Sequence, residues 1–513
     1  MTNDLPNGWA EATLSDMVMR PRPKVAPSDH SELPFIGMDH IASHGMKLLG
    51  SIRFGDMKSN GGLFFEGDVL YGRMRPYLNK VHSARSSGAC SAEFIVFPQS
   101  QGIDSDFLAY LLHSRSFVNF ASDLSSGDRP RVDFDSVADY PVLVPPIAEQ
   151  ERIVSKIDEL FSSIDEGERA LERVRKLVER YRQSVLKAAV TGELTREWRE
   201  KHAGELESGE SLLTRIIEAR RKAWEKSELD KMKAKGQRPA NSDWKKKYKE
   251  PAWPDTSDLP ELPEGWVWAS PVQLEDSIPN ALTIGPFGSN LKVSDYEHSG
   301  VPLIFVRNIR SQRFGGERTK YVTPRKAEEL ASHKARACDV LITKMGEPPG
   351  DACVYPVGSP DAVITSDCIK WTLHKTLPRK DYFANFINSY VGRSQFAEIT
   401  KGVAQQKVSL DRFRQIAIAL PGLTEQEIIA DRLEVEFERL LVLEQMIQAE
   451  NDRSSALRQS VLSAAFSGKL TEQDPADEPA SVLLERIAAE RTERIPQKKQ
   501  PVPKATRNKK VKA

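Results

Sequence analysis

The chain has 513 residues, 39% hydrophobic and 28% charged, with 73 Lys and Arg set against 73 Asp and Glu. That length excludes a single core and predicts two to four domains, while the absence of any apolar run near ~18 residues, or of a signal-peptide core, excludes a helical membrane span and makes the cytoplasm the expected location. Four cysteines (Cys90, Cys338, Cys353, Cys368), none in a C-x-x-C pair, suit a reducing compartment and argue against disulfides or zinc, and the zero net charge leaves any nucleic-acid binding to a local basic surface.

Residues 1–146 read as a first α/β unit. After Leu5-Pro6-Asn7-Gly8-Trp9, short apolar runs bounded by Gly, Asn and Asp occur at Phe35–Met38, Asp68–Tyr71 and Glu93–Phe97, a length and punctuation that predict strands. From Asp106 to Phe120, apolar residues recur at near-helical spacing, with Asp104, Ser105 and Asp106 as cap candidates. A last strand, Tyr140 to Val144, runs into Pro145-Pro146.

Residues 147–194 carry a heptad. Ile157, Ile164, Leu171, Val178 and Val185 recur every seven residues, and Ile153, Leu160, Val174, Tyr181 and Ala188 fill the other seam position. Gly167 is the one flaw, costing about 1 kcal/mol against Ala in a helix interior. At ~1.5 Å per residue the helix is roughly 65 Å long, and its apolar seam needs a partner along that length.

Residues 195–260 form a highly charged connector with a short amphipathic helix. Lys and Arg cluster from Arg220 to Lys249, with Trp224, Trp244, Tyr248 and Trp253 interleaved. Two readings fit: a solvated linker whose aromatics dock it to a neighbouring domain, or direct contact with nucleic acid. Residues 261–420 repeat the first unit, from Leu262-Pro263-Glu264-Gly265-Trp266 through strand-like runs at Leu303–Val306, Asp339–Ile342 and Ala362–Thr365 to a helix from Asp381 to about Ile399.

The second long helix, residues 421–470, supplies the partner. Ile429, Leu433, Leu440, Leu443, Ile447, Leu457, Val461 and Ala464 stand at equivalent places, while Glu436, Glu450 and Ser454 interrupt the seam and predict a looser middle. The two copies align without a gap, offset by 276 residues at both ends (Val144 to Leu420, Gly192 to Gly468), and Arg182-Gln183-Ser184-Val185-Leu186 returns as Arg458-Gln459-Ser460-Val461-Leu462. Residues 471–513 add a short helix, where Leu212-Leu213-x-Arg215-Ile216 returns as Leu483-Leu484-x-Arg486-Ile487, and a basic tail. The expected architecture is therefore α/β: two similar globular units separated by an intramolecular antiparallel coiled coil. Paired reading modules on a duplex are set about one ~34 Å turn or a multiple apart, which such a ruler can span.

The proline-x-x-x-Glu-Gln helix entry (Pro146 to Gln150), the exit Arg182-Gln183-Ser184-Val185-Leu186-x-Ala188-Ala189 with Gly192-x-Leu194-Thr195, and their repetition after two dissimilar units resemble the specificity (S) subunits of Type I restriction–modification enzymes. The resemblance implies two target recognition domains that each read half of a split DNA site. It also implies a helix pair that sets the spacer and docks two methyltransferase (M) subunits, and restriction (R) motor-nuclease subunits that join the assembly. S-adenosylmethionine, ATP and Mg are then expected on partner subunits, with no cofactor and no catalytic residue on this chain. The sequence agrees: its Pro-Pro pairs, Pro145-Pro146 and Pro348-Pro349, do not fit an adenine methyltransferase loop, and Ser467-Gly468-Lys469-Leu470 lacks the Ser/Thr and first Gly of a phosphate loop. His40 and His44 have i, i+4 spacing but no third ligand, so no metal site is expected.

Candidate DNA contacts in the first unit are Arg73, Arg75, Tyr77, Asn79 and Lys80, in the most basic loop, with Arg129 and Arg131 before the closing strand. In the second they are Lys344, then Gln405, Gln406 and Lys407, and Phe287, Ser289 and Asn290 in a Gly-rich loop. Arg and Lys suit phosphates and guanine, Gln and Asn suit base edges, and glycines let backbone approach a groove. Glu149-Gln150 and Glu425-Gln426 are candidates for subunit docking, or simply first-turn acids favoured by the helix dipole. A coiled-coil scaffold that joins proteins without reading DNA is the alternative.

Overall fold

The computed structural model describes residues 5–100, 102–125, 127–204, 207–237, 239, 241–310, 313–316, 318–400 and 406–494 (backbone only from 490). Two compact units emerge, the first from Met1–Glu172 with Gln448–Ala513, the second from Arg173–Ile447.

In the first unit, strand Ala10–Thr13 pairs antiparallel with Pro141–Val144, so the strand after Trp9 lies against the strand that feeds the long helix. Val69–Gly72 sits between Val81–Ser83 and Phe94–Phe97, antiparallel to both. A five-stranded sheet places Pro34–Ile36 parallel to Gly88–Cys90. The second unit repeats each of these pairings. Val267–Ala269 lies on Ile418–Leu420, Val340–Thr343 lies between Ala352–Val354 and Cys368–Trp371, and Val301–Ile304 runs parallel to Ala362–Ile364.

The helix expected from Asp106 to Phe120 is two helices, Ser105–His113 and Arg115–Asp123. Ser114 adopts extended backbone and its Oγ accepts from Phe117 N, which starts a fresh helix where the apolar spacing alone runs on. Ser389 makes the same break between Lys380–Asn388 and Tyr390–Ile399, accepting from Gly392 N at 3.2 Å.

The two long helices are Ile147–Val190 and Leu423–Phe466, 44 residues each. Within each unit their segments run antiparallel. In the first unit, Ile153 and Ile157 share a core with Val461, Leu462 and Ala465, and Arg458 pairs with Asp165 and, at 3.1 Å, with Glu168. In the second, Val185, Leu186 and Ala189 share a core with Ile429 and Leu433, Tyr181 Oη donates to Glu436 Oε2 at 3.1 Å, and Arg182 Nη2 donates to Glu444 Oε1 at 2.6 Å.

Not every seam residue is core. Ile157, Val178, Leu433, Leu440, Ile447 and Val461 are buried, and Leu160, Ile164 and Leu171 are half-buried. Val174, Leu443 and Leu457 are instead 41%, 42% and 50% exposed, a correction to their expected core role. Polar pairs such as Tyr181–Glu436 and Arg182–Glu444 occupy the helix surfaces near the interrupted seam, and the apolar neighbours are left outside.

The helix-entry Glu and Gln residues correct a second expectation. All four are buried and bonded within the chain, so none offers a surface for direct docking. Glu149 accepts from Trp9 Nε1 at 2.9 Å and from Thr471 Oγ1 and Gln473 Nε2 at 3.2 Å each. Glu425 accepts from Trp266 Nε1 at 2.8 Å, Thr195 Oγ1 at 2.7 Å and Arg199 Nη1 at 2.6 Å. Gln150 bonds Asp104 N and Pro145 O, and Gln426 donates to Pro421 O. The repeat of Trp, Glu and Thr is thus a lock: the start of each unit, the entry of one helix and the exit of the other meet at a single carboxylate.

The connector holds a helix of 26 residues, Gly209–Ala234, longer than expected, because Leu212, Leu213 and Ile216 bury its first turns in the second unit's core. Leu483 and Ile487 of Ala480–Arg494 do the same in the first unit. Trp224 lies against Trp244 and Tyr248, with centroids 6.0 and 5.3 Å apart, so these aromatics are committed to packing the connector.

Candidate nucleic-acid interface

Each unit brings separate candidate loops to one place. In the first, Arg73 N donates to Glu93 O at 2.9 Å, Val132 N donates to Arg73 O at 3.1 Å, and Met74 bridges Arg131. Arg75 N donates to Pro130 O at 2.8 Å. The loop after Val69–Gly72 and the segment before the closing strand therefore lie side by side. Arg75 and Asn79 both adopt left-handed backbone (φ 53° and 45°) around the turn Pro76–Leu78. That conformation is rare for a non-Gly residue and reverses the chain sharply at both ends of the turn.

Arg75, Tyr77, Arg129 and Arg131 are exposed, and Arg73 is half-buried. Two others are already engaged, a correction to their expected contact role. Asn79 is buried and its Nδ2 donates to His113 O at 2.9 Å, while Lys80 Nζ donates to Met38 O at 2.5 Å. Both pin the loop from below. His113 beneath them stays neutral, since burial, with help from His44 and Arg458, pushes its imidazole down to about 4.

In the second unit, Lys344 N donates to Asp367 O at 2.8 Å, Val408 N donates to Lys344 O at 3.0 Å, and Met345 bridges Lys407. Gly346 N reaches Gln406 O at 3.4 Å. The Gly-rich loop joins them: Gly285 N donates to Cys368 O at 3.2 Å, and a Cβ at Gly285 would lie 2.0 Å from Thr365 O. Only glycine lets the two backbones approach so closely. Phe287, Ser289, Asn290 and Lys407 are exposed, Lys344 and Gln406 half-buried. Gln405 lies outside the described residues.

Two features escape a reading by basic loops. One is a hairpin at the same point of each unit. Gly37 N donates to His40 Nδ1 and Phe305 N to Asn308 Oδ1, both at 2.9 Å, so His40 caps a turn. A hairpin follows each turn. The first donates from His44 N to Leu78 O at 2.7 Å and exposes Leu48 and Leu49, and the second pairs Arg310 with Arg313. The signal was Pro34-x-Ile36 with His40-Ile41 against Pro302-x-Ile304 with Asn308-Ile309. The other feature is the acid at Glu93 and Asp367.

Two α/β units of one topology, the first presenting Arg and the second Lys on adjoining loops, and each joined to a paired long helix, define a class of two-headed protein. The chain belongs to the Type I restriction modification DNA specificity domain family, whose pattern it matches over residues 6–173 and 342–450. It is similar to the Type I restriction enzyme EcoDI specificity subunit of Escherichia coli, 30% identical over 217 residues, 42% of this chain and 48% of that protein. It is also similar to the EcoKI specificity subunit of Escherichia coli strain K12, 25% identical over 415 residues, 76% of this chain and 72% of that one. The aligned stretch thus spans about half of the first relative and almost three quarters of the second. A solved chain from work on complex assembly and conformational transition of the type I R-M system has the same fold, with a TM-score of 0.61 at 18% identity over 91% of this chain and 99% of that one.

Proposed function

We propose that this chain is the DNA-reading subunit of a Type I restriction–modification complex. Each unit reads one half of a bipartite, asymmetric site, and the helix pair sets the spacer. Methylation and ATP-dependent cleavage lie on methyltransferase and restriction subunits, which would hold S-adenosylmethionine, ATP and Mg. One observation carries the reading: two units of the same topology place cations on corresponding loops while the rest of those loops differs. A shared frame with unlike loops is what reading two unlike half-sites requires.

The spacer is tested by inserting one helical turn, four residues, into each long helix. A turn advances ~5.4 Å and a base pair ~3.4 Å, so the gap between the half-sites is expected to grow by about one or two base pairs. Sequencing of modified adenines in a host carrying the variant with its methyltransferase partner reads this directly, and an unchanged site rejects the ruler.

Partner docking falls to the apolar residues that the helix pair leaves outside. In the second unit these include Val174, Leu177, Leu441, Val442 and Met446, whose apolar surface a bound partner would cover. Leu177→Asp with Met446→Asp is expected to abolish co-purification with the methyltransferase subunit while the chain stays folded. Retained co-purification moves the docking surface elsewhere.

A further inference from the structure

Glu93 and Asp367 sit where a DNA-facing surface should avoid acid. A carboxylate beside incoming phosphates is repelled, so an acid at this place in one unit would be a liability. The chain has it in both. Arg73 N to Glu93 O and Lys344 N to Asp367 O are the same backbone bond, 2.9 and 2.8 Å. Met74 bridging Arg131 and Met345 bridging Lys407 are the same bridge. Each unit therefore assembles a cation, an acid and a second cation at one point of the fold, from three separate loops of otherwise unlike sequence.

In the first unit the side chains show the consequence. Arg131 Nη2 donates to Glu93 Oε1 at 2.7 Å, with the arginine side chain 46% exposed and the glutamate side chain 27% exposed. One edge of Arg131 is held while the rest faces outward. An unrestrained arginine gives up considerable rotamer freedom when it binds, and bidentate reading of guanine O6 and N7 needs its plane fixed beforehand.

We propose that Glu93 is a specificity-determining positioning residue that aims Arg131 at a base edge. The inference rests on the DNA-reading function proposed above. Its mark is selectivity without affinity, because an acid that aims a cation adds no phosphate contact. A merely structural ion pair would change stability and leave the recognised sequence alone.

The test uses the full chain assembled with its methyltransferase partner. Glu93→Gln keeps the size of the side chain and removes its charge. It is expected to relax one base position in the half-site read by the first unit, lowering discrimination there about ten- to a hundredfold. The second half-site stays unchanged, and binding to a random-sequence duplex is not weakened, since a charge that repels phosphates has been removed. Glu93→Asp keeps the charge and restores selectivity, whereas Asp367→Asn, at an acid whose bonded side-chain partner is Ser366, leaves the other half-site unchanged. An unchanged methylated sequence in Glu93→Gln overturns the proposal. Arg73→Ala with Arg131→Ala separates the two ideas: if that pair leaves DNA binding intact, the interface itself is misplaced. If it weakens binding while Glu93→Gln changes nothing, only the positioning role falls.

Discussion

Replacing Glu425 with alanine is expected to destabilise the protein by about 3–5 kcal/mol, the cost of breaking a buried ion pair by removing one partner. Glu425 is 4% exposed, and its two oxygens serve three donors: the Trp266 indole, the Thr195 hydroxyl and the Arg199 guanidinium. Truncation leaves Arg199, whose side chain is 19% exposed, without its counter-charge, and strands a buried indole N–H. Glu149→Ala should cost less, about 1–3 kcal/mol, because its donors Trp9, Thr471 and Gln473 are all neutral. Urea unfolding of the full chain measures both. A difference below about 1 kcal/mol between Glu425→Ala and wild type would show that the carboxylate does not lock its unit.

The same carboxylates show what could be read from residue order. Repetition marked Glu149 and Glu425 as important, and helix-dipole reasoning placed them in a first turn. Their burial was not legible, because their donors Trp9, Thr471, Thr195 and Arg199 lie far away in sequence. The long helices were legible, since a seam of more than five heptads admits no other period. The fate of Val174, Leu443 and Leu457 was not. Which apolar residues a coil covers depends on the partner's register, and that is set across more than 250 residues of intervening chain. Helix breaks at Ser114 and Ser389 were hidden because a serine inside an apolar pattern looks tolerable until its backbone turns extended. The loop Arg73–Lys80 was found through its charge, yet charge could not tell Arg75, exposed at a left-handed turn, from Lys80, bonded to Met38 O. Glu93 and Asp367 were missed because a search for DNA contacts by basic residues passes over acids.

A chain carrying Arg73→Ala and Arg75→Ala, assembled with its methyltransferase partner, is expected to lose DNA affinity about a hundredfold or more at moderate salt. Two cations are removed from the proposed interface. Every phosphate left without its cation should flatten the plot of log affinity against log salt by about 0.9, and a guanine left unread would cost about 1–3 kcal/mol at one base. The two outcomes separate the residues. Arg75 projects from the turn and is exposed, so it suits a phosphate, and its removal should weaken all sequences alike and reduce the slope. Arg73 is half-buried, its backbone tied to Glu93 O and Val132 N. A side chain on a backbone held that way is better placed for a base edge, and its removal should fall on the first unit's half-site. Neither substitution removes a bond that pins the loop, since Asn79 to His113 and Lys80 to Met38 remain. Far-ultraviolet circular dichroism should therefore stay unchanged. Unaltered affinity and salt slope in the double variant would take this loop out of the interface, and the hairpin carrying His44, Lys47 and Leu49 would be the next surface to test.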